Sequence, residues 1–400
     1  MVCQALTFEN LFDDGENFWF TEFHYNALFK MDKKDWKPEL VGVFPEEAFC
    51  QGRLYTSTVS CRDKLYFAPY MAGEIAEYDL GRKEFGKILV PMPRKNFRTP
   101  WESEKFFKAA VLRERIYFIP YHYPAILCHD IETGQLSSFD SWVDEVEEHR
   151  VNEWGYFIEY EIIGTQLILP CMCAEMIVVF DTVTGGSKVF GADATGYACK
   201  YCGCCRIGDA VYFISSDGTV SKRALGLERL GIVHLPGAGA EEVEFYPVRQ
   251  AGKYLYLFPF QGGNQGFRLD PETGRAEREK LFDVENSAGG GSWKFLTALS
   301  CDGKLYAVDE DNRSFIEYDF TEGRRRSRRL FASRQEQERI DEYRRRALMR
   351  AFHENIVAEG ELYSLTCMLK ALQEEPALEL KGTQEVERTG RKIYQVSKGE

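Results

Sequence analysis

Lys64-Leu65-Tyr66-Phe67-Ala68-Pro69, followed by Ile75-Ala76-Glu77-Tyr78-Asp79, is a short apolar run, a polar break, and a second run that closes on an acid. Both runs have the length and the aromatic and β-branched content of strands rather than helices. The pattern repeats along the chain. Residues equivalent to Tyr66 are Trp19, Tyr117, Leu167, Tyr212, Tyr256 and Tyr306, separated by 44 to 51 residues. An acid follows thirteen or fourteen residues later at Asp32, Asp79, Asp130, Asp181, Asp270 and Asp319. The Tyr212 unit has Ser221-Lys222-Arg223 in its place.

A period of roughly 40 to 50 residues holding several short strands is the signature of propeller blades. A unit too small to bury its own apolar face must stack on neighbours, and a ring supplies neighbours on both sides. In the second unit, 56–61 is predicted as the innermost strand, 65–69 as the next, 75–79 as the third and 87–90 as the outermost. The expectation is a seven-bladed β-propeller of four-stranded antiparallel blades with a C-terminal α-helical extension. The recurrent Asp has a structural role in this reading. In Asp130-Ile-Glu-Thr-Gly134, Asp181-Thr-Val-Thr-Gly185 and Asp270-Pro-Glu-Thr-Gly274, its carboxylate accepts N–H groups of the turn that follows.

The units at Arg115-Ile-Tyr-Phe-Ile119 with Asp130, and at Lys304-Leu-Tyr306 with Tyr318-Asp319, resemble kelch-type and related β-propeller repeats. Ala68-Pro69, Ile119-Pro120 and Phe258-Pro259 stand where kelch blades carry a double Gly, and the Trp after the Asp is absent. The resemblance, over roughly residues 5–330, implies the fold rather than a family activity.

The propeller is expected over residues 1–331, with blades near 6–43, 50–91, 104–141, 155–190, 196–236, 243–281 and 293–331; an acidic linker, 144–148, precedes the fourth. After Phe331 the apolar period changes to 3.6. Ser333-Arg-Gln-Glu336 fits a capping box, and Ile340, Tyr343, Ala347, Leu348, Ala351 and Phe352 share one helical face. Residues 332–400 are expected as a helical arm, with a second helix around Leu362–Leu372 and a short docking segment at Arg391–Tyr394. Few residues precede blade one, so the ring is expected to close by blade-to-blade contact, clamped by the C-terminal tail.

A net charge of −13 and a pI near 5.2 argue against nucleic acid as the default partner. The N-terminal residues lack a basic start and an apolar run, and no tract is long enough to span a bilayer. Twelve cysteines then fit a reducing cytoplasm. Cys199-Lys-Tyr-Cys202-Gly-Cys204-Cys205 contains a Cys-x-x-Cys pair, yet no second pair and no nearby His complete a zinc set. Alternation also sends Cys204 and Cys205 to opposite faces of a strand. No metal or cofactor is expected. Residues 321–350 hold eleven Arg against five acids, within an otherwise acidic chain. Intramolecular docking or an acidic protein partner is the favoured reading of that segment.

Aromatic residues gather in the loops expected on one face, around the mouth of the ring. Loops leading into inner strands carry Trp101, Trp154, Tyr197 and Trp293; loops after second strands carry Tyr70, Tyr121, His122 and Tyr123. The candidate ligand-binding set is Trp101, Tyr121, His122, Trp154, Tyr197 and Trp293. Such a mouth suits a glycan or a peptide; the plainer reading is packing between blades. The sequence therefore points to a cytoplasmic binding or scaffold protein with a protein, peptide or glycan partner. The alternative is a carbohydrate-active lyase or glycosidase using Glu102, Glu153 or His122. If carboxylates converge in an open funnel the enzyme is favoured; if rings plug it, binding is.

Overall fold

The computed structural model describes residues 5–45, 52–95, 104–191, 201–236, 244–261, 265–282, 295–310 and 313–353. They form seven four-stranded antiparallel sheets, each built from consecutive strands. Blade two is representative: Tyr55–Cys61 is innermost, then Lys64–Pro69, Glu74–Asp79 and Glu84–Leu89. The repeat anchors all lie on second strands. Each is at most 7% exposed, because that strand is covered on both faces by neighbouring blades. Outer strands alternate instead, as in Glu84–Leu89, where one face meets solvent.

The recurrent acids close third strands as the repeat predicts. Asp79 Oδ1 accepts the N–H groups of Gly81 and Arg82 at 3.0 and 2.8 Å. Asp181 Oδ1 accepts those of Val183 and Thr184 at 2.9 and 3.0 Å. These turn amides hold both carboxyls below the usual carboxylate range. Blade five lacks the acid and solves the turn differently. Leu227 takes a positive φ of 72°, and Arg223 donates to its carbonyl at 3.0 Å.

Closure of the ring follows from where the apolar clusters sit. Among the described residues each adjacent pair of blades shares one, including blades seven and one. At that last seam Leu6, Phe8, Phe18 and Trp36 pack against Tyr306, Val308, Phe315 and Leu330. Leu6 N–H donates to the Leu330 carbonyl at 2.8 Å. Among the described residues no strand is exchanged: every sheet is built from four consecutive strands.

The chain divides into a unit Met1–Tyr343 and a unit Arg344–Glu400. The helix Arg334–His353 begins inside the first. Its capping box forms, with Glu336 accepting from Ser333 N–H at 2.7 Å and Ser333 Oγ accepting from Glu336 N–H at 3.3 Å. Glu336 also accepts from Leu40 N–H of blade one at 2.6 Å, Tyr343 donates to the Phe44 carbonyl at 2.9 Å, and Ile340 is fully buried. The start of the helix thus clamps the seam, in keeping with the expected closure. The second helix expected near Leu362 and the segment at Arg391 lie outside the described residues.

The acidic stretch expected as a linker before blade four is instead a short helix, Val143–Glu148. Val143 and Val146 are buried beside Trp142, whose ring meets Tyr156 edge-on at 4.8 Å and Phe157 at a tilt at 5.0 Å. Two apolar residues three apart in a six-residue segment give too little periodicity to announce a helix.

Candidate functional site: the ring axis and its upper mouth

The upper face is taken as the one carrying the blade-to-blade loops and the loops between second and third strands. Tyr70 and Tyr121 follow the second strands of blades two and three, and both turn inward. They meet Phe107, from the inner strand Phe106–Leu112 of blade three, at ring-centroid distances of 5.8 and 5.7 Å. Tyr246, from the inner strand Glu244–Ala251 of blade six, reaches the same Phe107 at 5.9 Å. Ile158 and Met172 of blade four complete the cluster. Side chains of non-adjacent blades therefore touch across the axis, and the channel is plugged by rings.

Below and around this plug lie charges. Arg249 Nη1 binds Glu159 Oε2 at 2.7 Å, and Arg249 Nε donates to the Ala298 carbonyl of blade seven at 2.8 Å. Arg53 binds Glu9 at 2.6 and 2.8 Å and lies 4.7 Å from the Tyr70 ring centre. Arg150 holds Glu147 through two contacts of 3.0 Å. Glu9, Glu147 and Glu159 are all under 9% exposed, so each buried carboxylate is matched by a guanidinium. A cleft lined by Glu9, Glu22, Phe23, Asn26 and Arg53 opens at the mouth between blades one and two.

Lys108 stands apart from these pairs. It is 8% exposed, with its ammonium 5.6 and 5.5 Å from the ring centres of Phe107 and Tyr246. Burial pushes its pKa from 10.5 down to about 8, with the attraction of Glu159 acting against that. The unfolded chain keeps the lysine protonated to higher pH, so stability rises with pH between about 8 and 10.5. Below that window both states carry the proton and the full penalty is present, about 3 kcal/mol. Lys108→Met is therefore expected to be more stable than the parent at pH 7 by up to about 3 kcal/mol. Denaturant melts at a series of pH values should show that gap closing between pH 8 and 10.5; a gap that ignores pH contradicts the assignment.

The sequence-derived site residues fall into three groups. Tyr121 and His122 are buried at 5% exposure each: Tyr121 in the plug, and His122 edge-on to it at 4.6 Å with Nε2 3.4 Å from Glu104. Tyr121 thus packs in the plug, and His122 packs against its ring. Trp154 is half-buried on a loop with a defined frame, and Glu153 beside it is exposed. Arg150 donates to the Trp154 carbonyl at 2.6 Å, Asn152 accepts from Trp154 N–H at 2.9 Å, and Val151 N–H donates to the Cys173 carbonyl at 2.8 Å. The next residue, Gly155, sits so close to the Tyr121 ring that a Cβ there would overlap it. Trp101, Glu102, Tyr197 and Trp293 lie outside the described residues.

The charged residues of the axis went unread in the sequence. Their one signal is a lone charge inside an apolar run: Lys108 in Phe106-Phe-Lys-Ala-Ala-Val-Leu112, Glu159 in Tyr156-Phe-Ile-Glu-Tyr160, Arg249 after Phe245-Tyr-Pro-Val248. Cys204 packs toward blade four and Cys205 toward blade six, as strand alternation predicts. Among the described residues, Asp13, Cys301 and Asp302 converge with the spacing of metal ligands. Lys33 Nζ lies 2.8, 3.0 and 2.9 Å from them, so its ammonium already supplies a positive charge there.

No family model matches the chain, and no curated protein matches it. Solved structures do. YCF48 from Cyanidioschyzon merolae superposes with a TM-score of 0.54 at 9% identity, over 77% of this chain and 94% of that one. The WD40 β-propeller domain of Doa1 gives 0.52 at 8% identity, over 79% and 93%. A chain of the mitotic checkpoint complex gives 0.54 at 10% identity, over 83% and 91%. At such identities the likeness is one of fold.

Proposed function

We propose that this propeller is a binding scaffold whose upper mouth receives a protein or peptide partner, with Trp154 as one of its anchors. The observation that carries the reading is the plugged axis: Tyr246 meets Phe107 across it, and Glu9, Glu147 and Glu159 are each held by an arginine. General acid–base work needs a carboxyl whose proton is free to move at an accessible spot; these three are neither accessible nor unpaired. With Tyr121 packed in the plug and His122 buried beside it, a broad contact surface suits a protein better than a sugar. The kelch-like units at 115–130 and 304–319 agree, since their acids serve turns on the opposite face. Free thiols at Cys61, Cys128, Cys171, Cys173, Cys202, Cys204, Cys205 and Cys301 suit a reducing cytoplasm.

The test replaces Trp101, Trp154 and Trp293 by alanine together and compares partners cross-linked to the full chain with those of the parent. Loss of a buried tryptophan anchor typically costs 2 kcal/mol or more, roughly thirty-fold in affinity, so the partner set is expected to drop out while the fold persists. Unchanged partners overturn the reading. Turnover of a glycan that disappears in Glu102→Gln or Glu153→Gln replaces it with the enzymatic one.

A further inference from the structure

We propose that the outer strand of blade seven, Arg324–Arg328, is a docking edge for an acidic, extended peptide that adds to the sheet as a fifth strand. The strand pairs on one side with Ser314–Asp319 and ends its sheet. An outer strand presents a row of backbone donors and acceptors that an added strand can use. Here that row is flanked by guanidinium groups. Arg324, Arg326 and Arg328 lie opposite Asp319, Glu317 and Phe315 and so share a face, with Arg325 on the other. Arg324, Arg326, Arg328 and Arg329 are exposed.

The carboxylates opposite Arg324 and Arg326 have other partners beside them. Glu317 is bound by Lys304 at 3.2 Å and by the Tyr306 hydroxyl at 3.1 Å, and Asp319 accepts from Glu322 N–H at 3.0 Å and faces Lys304 at 3.5 Å. Two arginines are positioned by blade one: the Arg326 guanidinium lies over the Trp36 ring, 3.9 Å from its centre, and Arg328 gives one N–H to the Asp35 carbonyl at 2.9 Å. A guanidinium has five donors, so both remain able to bind carboxylates. Charge on an edge strand often serves only to deter unwanted pairing. This ring does not use it that way throughout, because the outer strand Arg229–His234 of blade five exposes Leu230 and Ile232 instead.

Charge complementarity selects the occupant. Residues 321–330 hold five Arg against Glu322 alone, an excess of four positive charges in a chain whose net charge is −13, so the remaining surface repels an acidic chain and the strip attracts it. A long rigid polyanion would overrun the strip onto acidic surface; a short acidic strand fits within it.

The experiment titrates the full-length protein into fluorescein-labelled peptides of alternating Glu-Val, Lys-Val and, as a third arm, oligouridine, followed by anisotropy and by amide hydrogen exchange. The Glu-Val peptide is expected to bind, to weaken as salt rises, and to slow exchange at residues 324–328. Arg324→Glu, an exposed substitution, is expected to weaken it about three- to tenfold. No binding, equal binding of the Lys-Val peptide, preference for oligouridine, or protection only outside 324–328 overturns the proposal. Exchange on the unaltered protein keeps the test independent of any variant's folding.

Discussion

Arg249→Met is expected to destabilise the propeller by about 3–5 kcal/mol, because it removes one half of a buried ion pair and leaves the other half charged. Arg249 lies on the inner strand of blade six and ties the Ala298 carbonyl of blade seven to the Glu159 carboxylate ahead of blade four. Glu159 is 6% exposed and would remain so. The loss is a large share of the 5–15 kcal/mol that typically separates folded from unfolded domains. Lys108, already drawn by Glu159, would move the value toward the lower end of the range by acting as a substitute cation. Adding Glu159→Gln to Arg249→Met should then recover part of the loss, since no unpaired charge is left. Urea unfolding of both variants checks this; a single variant as stable as the parent, or a double variant no better than the single, contradicts the assigned pairing.

The second large effect is expected at the seam. Phe315 is 1% exposed and meets four rings: Phe8, Phe18 and Trp36 of blade one at 6.0, 5.8 and 4.9 Å, and Tyr306 of its own blade at 5.8 Å. Phe315→Ala should cost about 3–5 kcal/mol through lost transfer energy and the cavity left behind. The loss has a location. Leu6 N–H binds the Leu330 carbonyl across this seam, so its exchange should speed up before that of amides at the seam of blades three and four. Uniform acceleration around the ring would mean that the seam is not where blades one and seven are joined.

These effects also show which parts of the molecule could be read from its sequence. The Tyr-to-Asp modules were legible because both residues act within one repeat: Tyr66 packs from a second strand, and Asp79 caps the turn thirteen residues on. Ser333 and Glu336 were legible for the same reason, as a local exchange of hydrogen bonds. The axis was not. Glu159 and Arg249 lie ninety residues apart and meet only when the ring closes. Tyr121 and His122 were correctly placed in an upper loop, but composition does not say whether a ring turns to solvent or to the axis. Trp154 kept an intermediate position because Arg150 and Asn152 hold its backbone while the ring rests on the plug's rim.

The most direct test of the account is electron density along the ring axis in a crystal of the full chain. The account predicts the Tyr246 ring against Phe107, the Glu159–Arg249 and Glu9–Arg53 pairs beside it, and blade seven packed on blade one through Phe315. An open bore running through the ring, or sheets of blades one and seven standing apart, would contradict it.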